Sequence, residues 1–317
     1  MSVSRLSVSL VALWVTSIAV SACDAEPSAA PPSEPAVTSR PEAPDASPAG
    51  FPDANDDQVP YALDVPFKAT RVVPMPTTFG SVSVEKAAQA KRGLELLSRT
   101  YELLPNNVGN QLHCTTCHLQ GGKTAKAAPW VGLNARFPQF RHRSAKVDSL
   151  KERVNNCFER SMAGTALDDD SEEMAAILAY YDTLSVGFAK GESPEGRGIP
   201  KLDLERAPDR DAGKALYAVK CAACHGQNGE GNYGPDGKTY VFPALWGSAA
   251  YNVAAGMARQ RTAAGFIKHN MPLGQGGTLT DDEAWDIAAY VIHQDRPDFA
   301  KKAGDWPQGH KPKDARY

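Results

Sequence analysis

The 317-residue sequence contains no long basic run, and its formal net charge is only −3. Neither feature points to nucleic-acid binding. The apolar stretch Leu6 to Val20 falls short of the roughly 20 residues that a membrane-spanning helix needs. Strand signals are sparse and no βαβ pattern can be traced, which removes the sheet-based fold classes. Cysteine is scarce, with six residues in all, and the spacing of those six constrains the chemistry more than any other feature of the composition.

The N-terminus reads as an export signal. Arg5 precedes the apolar stretch, which ends in Val20-Ser21-Ala22-Cys23, a sequence that resembles the lipobox of bacterial lipoproteins. The expectation is a lipoprotein-type signal peptide over residues 1–23 and a periplasmic protein held to a membrane by a lipid on Cys23. Ordinary cleavage nearby is the alternative. Some Gram-negative bacteria read an Asp after that cysteine, here Asp24, as a cue for inner-membrane retention. Residues 24–60 hold nine prolines among Ala, Ser, Glu and Asp and almost no large apolar side chain. Such a stretch cannot bury enough surface to fold, so a disordered Pro-rich tether with a reach of about 35 Å is expected.

Beyond the tether the pattern turns helical. Ser83 can cap a helix over Val84 to Leu104, with Leu94, Leu97, Tyr101 and Leu104 at helical spacing. Further helices are predicted from Ser149 to Met162 and from Ser171 to Leu184. Gly- and Pro-rich sequence from Gly187 to Pro200 reads as a connection. A second unit then repeats the plan, with a short helix over Asp211 to Val219 and a last one opened by the capping box Thr280–Glu283 and closed before Pro297.

Each unit carries a Cys-x-x-Cys-His motif, Cys114-Thr115-Thr116-Cys117-His118 and Cys221-Ala222-Ala223-Cys224-His225. In this motif two thiols form thioethers with the haem vinyl groups, and the adjacent histidine reaches the iron. A zinc knuckle would cluster four ligands in one small unit, and a thioredoxin-like pair would need a βαβ frame. The sequence therefore predicts two covalently bound haem c groups in an all-α protein, two cytochrome c-type domains in tandem. The boundaries are 61–190 for the first domain, 191–200 for a linker, 201–298 for the second domain and 299–317 for a C-terminal tail.

The sixth iron ligands decide what each haem does. In the second domain Met271, 46 residues after His225 in a loop before the last helix, is the expected ligand, and Met257 is its nearest competitor. In the first domain no comparable methionine loop exists. Cys157 lies 39 residues after His118 and is the thiol that lipid and haem leave over. It shares a helical stripe with Leu150, Val154, Phe158 and Ser161, so it points inward. A small buried hydrophobe explains it as well as a ligand or reactive thiol does, and His113, His142 and Met162 are other candidates for the iron.

The run Arg153-Val154-Asn155-Asn156-Cys157-Phe158-Glu159-Arg160-Ser161-Met162 closely resembles a signature of the dihaem thiosulfate dehydrogenases, which couple thiosulfate to tetrathionate. The likeness continues in Phe242 to Gly247, Ala255-Gly256-Met257, Phe266 to Pro272, Ala284-Trp285-Asp286 and Arg296-Pro297, and covers roughly residues 80 to 300. It implies that His118 and Cys157 bind the active-site haem iron, that His225 and Met271 bind the iron of an electron-exit haem, and that Arg143, Arg153 and Ser161 hold substrate. Some members have lysine before the methionine, where this chain has Asn270, so exchange of a lysine onto the iron is not implied here.

The chemistry implied by the resemblance suits these residues. Two thiosulfate dianions repel one another, and guanidinium groups offer forked donors for their oxygens. Arg153 stands one turn before Cys157 and Ser161 one turn after it. Arg141, beside Arg143, reads instead as a solvated surface charge or a haem-propionate partner. The Cys157 sulfur can carry a sulfane adduct until a second thiosulfate attacks. Electrons then pass to an external acceptor, expected to be another periplasmic cytochrome c. The same parts could run as a tetrathionate reductase, and a dihaem electron carrier without a substrate is the reading from a different class.

Overall fold

The backbone hydrogen bonds are drawn almost entirely into helices and turns. The computed structural model describes residues 71–77, 83–237 and 240–317. The predicted signal peptide, Cys23 and the Pro-rich tether lie outside the described residues. None of the described helices is long and apolar enough to cross a membrane.

The first half begins with a short strand, β1 (Arg71–Val73), and helix α1 (Val84–Ser98), whose Ser83 cap accepts from the Lys86 N–H as its sequence position predicts. The helix expected to run to Leu104 breaks at Arg99 and resumes as α2 (Thr100–Leu103). The reason is Thr100, which is buried. Its hydroxyl donates to the Leu97 carbonyl at 3.0 Å and accepts the Cys114 N–H at 3.0 Å, so a side chain takes over backbone partners just where the chain meets the first haem motif. After the short α3 (Leu119–Gly122), strands β2 (Gln139–Arg141) and β3 (Lys146–Asp148) form an antiparallel pair. Helix α4 (Leu150–Arg160) opens on a Ser149–Glu152 capping box, and α5 (Glu172–Thr183) on Ser171. Strand β4 (Glu192–Pro194) pairs in parallel with β1. The connection predicted over 191–200 is thus packed along the first half, with Glu192, Ser193 and Pro194 buried.

The second half contains α6 (Arg210–Lys220), α7 (Ala222–His225), the strand pair β5 (Asn232–Tyr233) and β6 (Tyr240–Phe242), α8 (Gln260–Asn270) and α9 (Asp281–Ile292). Helix α8 has no counterpart among the sequence-based expectations. The Thr280–Glu283 capping box of α9 forms as predicted.

One crossing is repeated in both halves. Helix α1 crosses α5 at Gly93, where an added Cβ would lie 2.0 Å from the Ala176 carbonyl oxygen. Helix α6 crosses α9 at Gly213, where it would lie 2.0 Å from the Asp286 oxygen. Leu96, Leu97, Phe158, Met174 and Ile177 fill the first core, each worth about 2 kcal/mol of burial. That core also takes in Tyr251, Ala255 and Ala258 from the second half, so the two haem motifs sit in one compact unit.

Candidate functional site

Both motif histidines are held alike. A 3₁₀ turn over Cys114–Thr116 carries the first motif, and His118 Nδ1 donates to the Ala128 carbonyl at 2.6 Å. His225 Nδ1 donates to the Pro243 carbonyl at 2.9 Å. Each bond fixes the tautomer and leaves Nε2 with its lone pair, the arrangement that a metal-ligating imidazole needs. Burial lowers the His118 pKa to about 4, which keeps the ring neutral at physiological pH, and Trp130 stacks on it at 4.6 Å. None of the five described cysteines forms a disulfide. The set of two thiols and one anchored imidazole, repeated, fits haem c.

The first motif opens on a cavity of about 750 Å³ that Cys114, Cys117 and His118 share with Cys157, Arg153 and Ser161. The four candidates for the iron, Cys157, His113, His142 and Met162, all line it, but their surroundings differ. His113 stacks on Tyr101 at 4.7 Å, His142 lies between Phe140 and His310, and Met162 is packed in the core. Cys157 sits close enough to Cys114 and Cys117 for its charge to raise their pKa values, to which burial contributes more. The Arg153 Nη1 donates to the Cys157 sulfur at 2.8 Å, and the negative charge available on that sulfur raises the Arg153 pKa. The one-turn spacing read from the sequence is therefore a contact.

In the second half Met271 caps the C-terminal end of α8 and begins the loop to α9. Its competitor Met257 packs against both the first core and the α8–α9 core, the role of a space-filling side chain. Asn270 bonds to the Phe266 carbonyl at 3.1 Å and to the Lys126 carbonyl of the first half at 3.2 Å.

The cavity wall is strongly cationic. Arg136, Arg141, Arg143, Arg153, Arg160 and Arg259 all line it, against two carboxylates, Asp148 and Asp305. Arg141 is half-buried in this wall, the position that the haem-propionate alternative needs; burial first, then Arg153, lowers its pKa to about 10. Arg143 donates to the Ala254 carbonyl at 2.7 Å, pairs with Asp305 at 3.5 Å and lies over the Trp306 ring at 4.8 Å. Burial, with Arg259 second, pulls its pKa down to about 9. Arg136 is 8% exposed, and its Nε is buried without a partner. A buried guanidinium with an orphaned N–H in the wall suits a group that brings carboxylates, as haem does.

Sequence reasoning missed Arg136, Arg259, Asp305 and Trp306. For Trp306 a signal existed, since a lone tryptophan in a polar tail has to bury its ring somewhere.

These features define a class: a c-type cytochrome with two haem-binding domains and a sulfur-and-arginine cavity against one of them. Residues 106–189 match the SoxA/TsdA cytochrome c domain family, and residues 211–295 match the Cytochrome c family. The thiosulfate dehydrogenase of Psychrobacter arcticus is 50% identical over 232 residues, 73% of this chain and 71% of that protein. That of Allochromatium vinosum is 48% identical over 218 residues, 68% of this chain and 80% of its own length. Among solved structures, the thiosulfate dehydrogenase TsdBA of Marichromatium purpuratum matches with a TM-score of 0.66 at 34% identity, over 71% of this chain and 50% of that one. This chain spans half the length of that structure. The chain belongs to the thiosulfate dehydrogenase family.

Proposed function

We propose that this protein oxidises two thiosulfates to tetrathionate and passes two electrons to an external acceptor. The observation that carries this reading is the Cys157 sulfur held 2.8 Å from the Arg153 guanidinium in the cavity of the first haem motif. Cys114, Cys117, Cys221 and Cys224 would hold two haem c groups covalently, with His118 and Cys157 on one iron and His225 and Met271 on the other. When bound, the two haems supply two one-electron acceptors, the thiolate-ligated one at lower potential than the thioether-ligated one.

The chain's own residues do the rest. Arg153 and Arg143 offset the charge of a thiosulfate dianion that would otherwise be repelled by the Cys157 thiolate. Ser161, one turn beyond Cys157 in the same cavity wall, offers a hydroxyl to its oxygens. The Cys157 sulfur and the outer sulfur of the first thiosulfate join with loss of two electrons. The second thiosulfate attacks the sulfane sulfur so formed, which completes tetrathionate and restores the Cys157 thiolate. The Arg153 contact stabilises that leaving thiolate. Export to the periplasm, lipid attachment at Cys23 and a second c-type cytochrome as redox partner belong to the same proposal.

The test is thiosulfate-dependent haem reduction by the purified holoprotein, followed in the Cys157→Gly and Cys157→Met variants. Wild type is expected to be reduced by thiosulfate alone, with both variants inactive and both haems retained. Full activity in either variant would refute the role of Cys157. Haems that only an added redox protein can reduce would make the chain an electron carrier.

A further inference from the structure

The proposed reaction leaves residues 299–317 without work, yet this segment builds one wall of the cavity. The Trp306 backbone N–H donates to the Arg143 carbonyl at 2.8 Å, and Lys301 pairs with Glu159 at the end of α4. Asp305, its side chain 5% exposed, accepts from Arg160 Nη2 at 2.7 Å, pairs with Arg143 and receives the Tyr317 hydroxyl. The Trp306 ring faces the Arg143 guanidinium at 4.8 Å and that of Arg259 at 5.3 Å. A single carboxylate and a single indole thus bind three guanidinium groups in the wall of one cavity.

Arginines gathered without an anion repel one another and lose hydration. A buried carboxylate and an aromatic face offset both costs while leaving the remaining N–H donors directed by fixed side chains. We infer that Asp305 and Trp306 are positioning residues for the substrate oxoanion, holding Arg143 and its arginine neighbours in place for thiosulfate. The inference rests on the proposed reading for the identity of the anion. The effect of Asp305 and Trp306 runs through Arg143, so it falls on anion affinity more than on the chemical step.

The holoprotein with Asp305→Asn, Asp305→Glu, Trp306→Ala or Trp306→Phe tests this. Asp305→Asn and Trp306→Ala are expected to raise the KM for thiosulfate about tenfold with kcat changed less than about threefold. Asp305→Glu and Trp306→Phe should restore most of the affinity, and haem content should not move. Thiosulfate binding is also measured by calorimetry on the fully reduced protein, where turnover cannot proceed. If the oxidised wild type fails to oxidise thiosulfate while its reduced form binds the anion and Asp305→Asn weakens that binding, the proposed reaction falls and the inference stands. Equal affinity in all four variants and wild type, with only thermal stability lowered, overturns the inference, as does a wild type that binds no oxoanion. Should Asp305→Asn fail to fold, the comparison of Trp306→Phe with Trp306→Ala decides it.

Discussion

At the scale of single residues, the site is a contest between burial and charge. Arg153 is half-buried beside a sulfur, and its pKa is raised because the attraction of Cys157 outweighs desolvation. Arg143 and Arg136 lie in the same wall, and there desolvation wins and lowers both. Arg153 is therefore the cation whose burial the protein's own sulfur already offsets, and its loss should be felt in the chemistry as well as in binding. Arg153→Met is expected to lower kcat/KM at least about a hundredfold, and Arg153→Lys by less, since an ammonium keeps the charge but loses the fork. Steady-state kinetics with thiosulfate checks this; equal losses in the two variants would show that charge contributes nothing. This part of the site was legible in the sequence because Arg153, Cys157 and Ser161 stand one turn apart on a single helix. The pairing of Arg143 with Asp305 was not, because 162 residues separate them and no local periodicity links a β-strand neighbour to a tail.

Among the secondary-structure elements, capping chemistry made most helices readable. Ser83, Ser149, Ser171 and Thr280 each accept the expected backbone N–H. Two failures have distinct causes. The continuous helix expected to Leu104 is broken by the tertiary demand of Thr100 on Cys114, which propensity cannot foresee. Helix α8 lacks a side-chain cap and buries small residues, Ala263, Ala264 and Gly265, so it shows no bulky apolar stripe. Small residues also set the helix crossings. At Gly93 and Gly213 the partner is a backbone carbonyl that cannot swing away. Gly93→Ala and Gly213→Ala should each cost about 2 kcal/mol net, since overpacking outweighs the roughly 1 kcal/mol that alanine gains in a helix. The corresponding fall in Tm is roughly 4–8 °C for a unit of this size. Unchanged melting in either variant would mean that the helices can separate without penalty.

For the molecule as a whole, the two haem motifs lie on parts that cannot be pulled apart without breaking a core. The Asn252 side chain, 2% exposed, donates to the Glu159 carbonyl at 2.9 Å and accepts the Ala254 N–H at 3.0 Å. Its backbone N–H reaches the Arg160 carbonyl at 3.2 Å. From the other side Asn110 donates to the Ser161 carbonyl at 2.8 Å and to the Ala250 carbonyl at 3.2 Å. Both asparagines thus tie the second half to the end of α4, the helix that carries Cys157 and Arg153. The sequence displayed two domains because each repeats the same plan, but the residues that join them are isolated polar side chains in loops, which carry no pattern. Asn252→Ala removes two buried hydrogen bonds and strands a carbonyl and an N–H, at about 2–4 kcal/mol in total. Because the seam is shared, that loss should appear in one cooperative transition. Far-ultraviolet and haem-region circular dichroism of the holoprotein should melt together in wild type and together, at lower temperature, in the variant. Two separated transitions in wild type would instead make the halves independent folding units, with α4 stabilised by the first half alone.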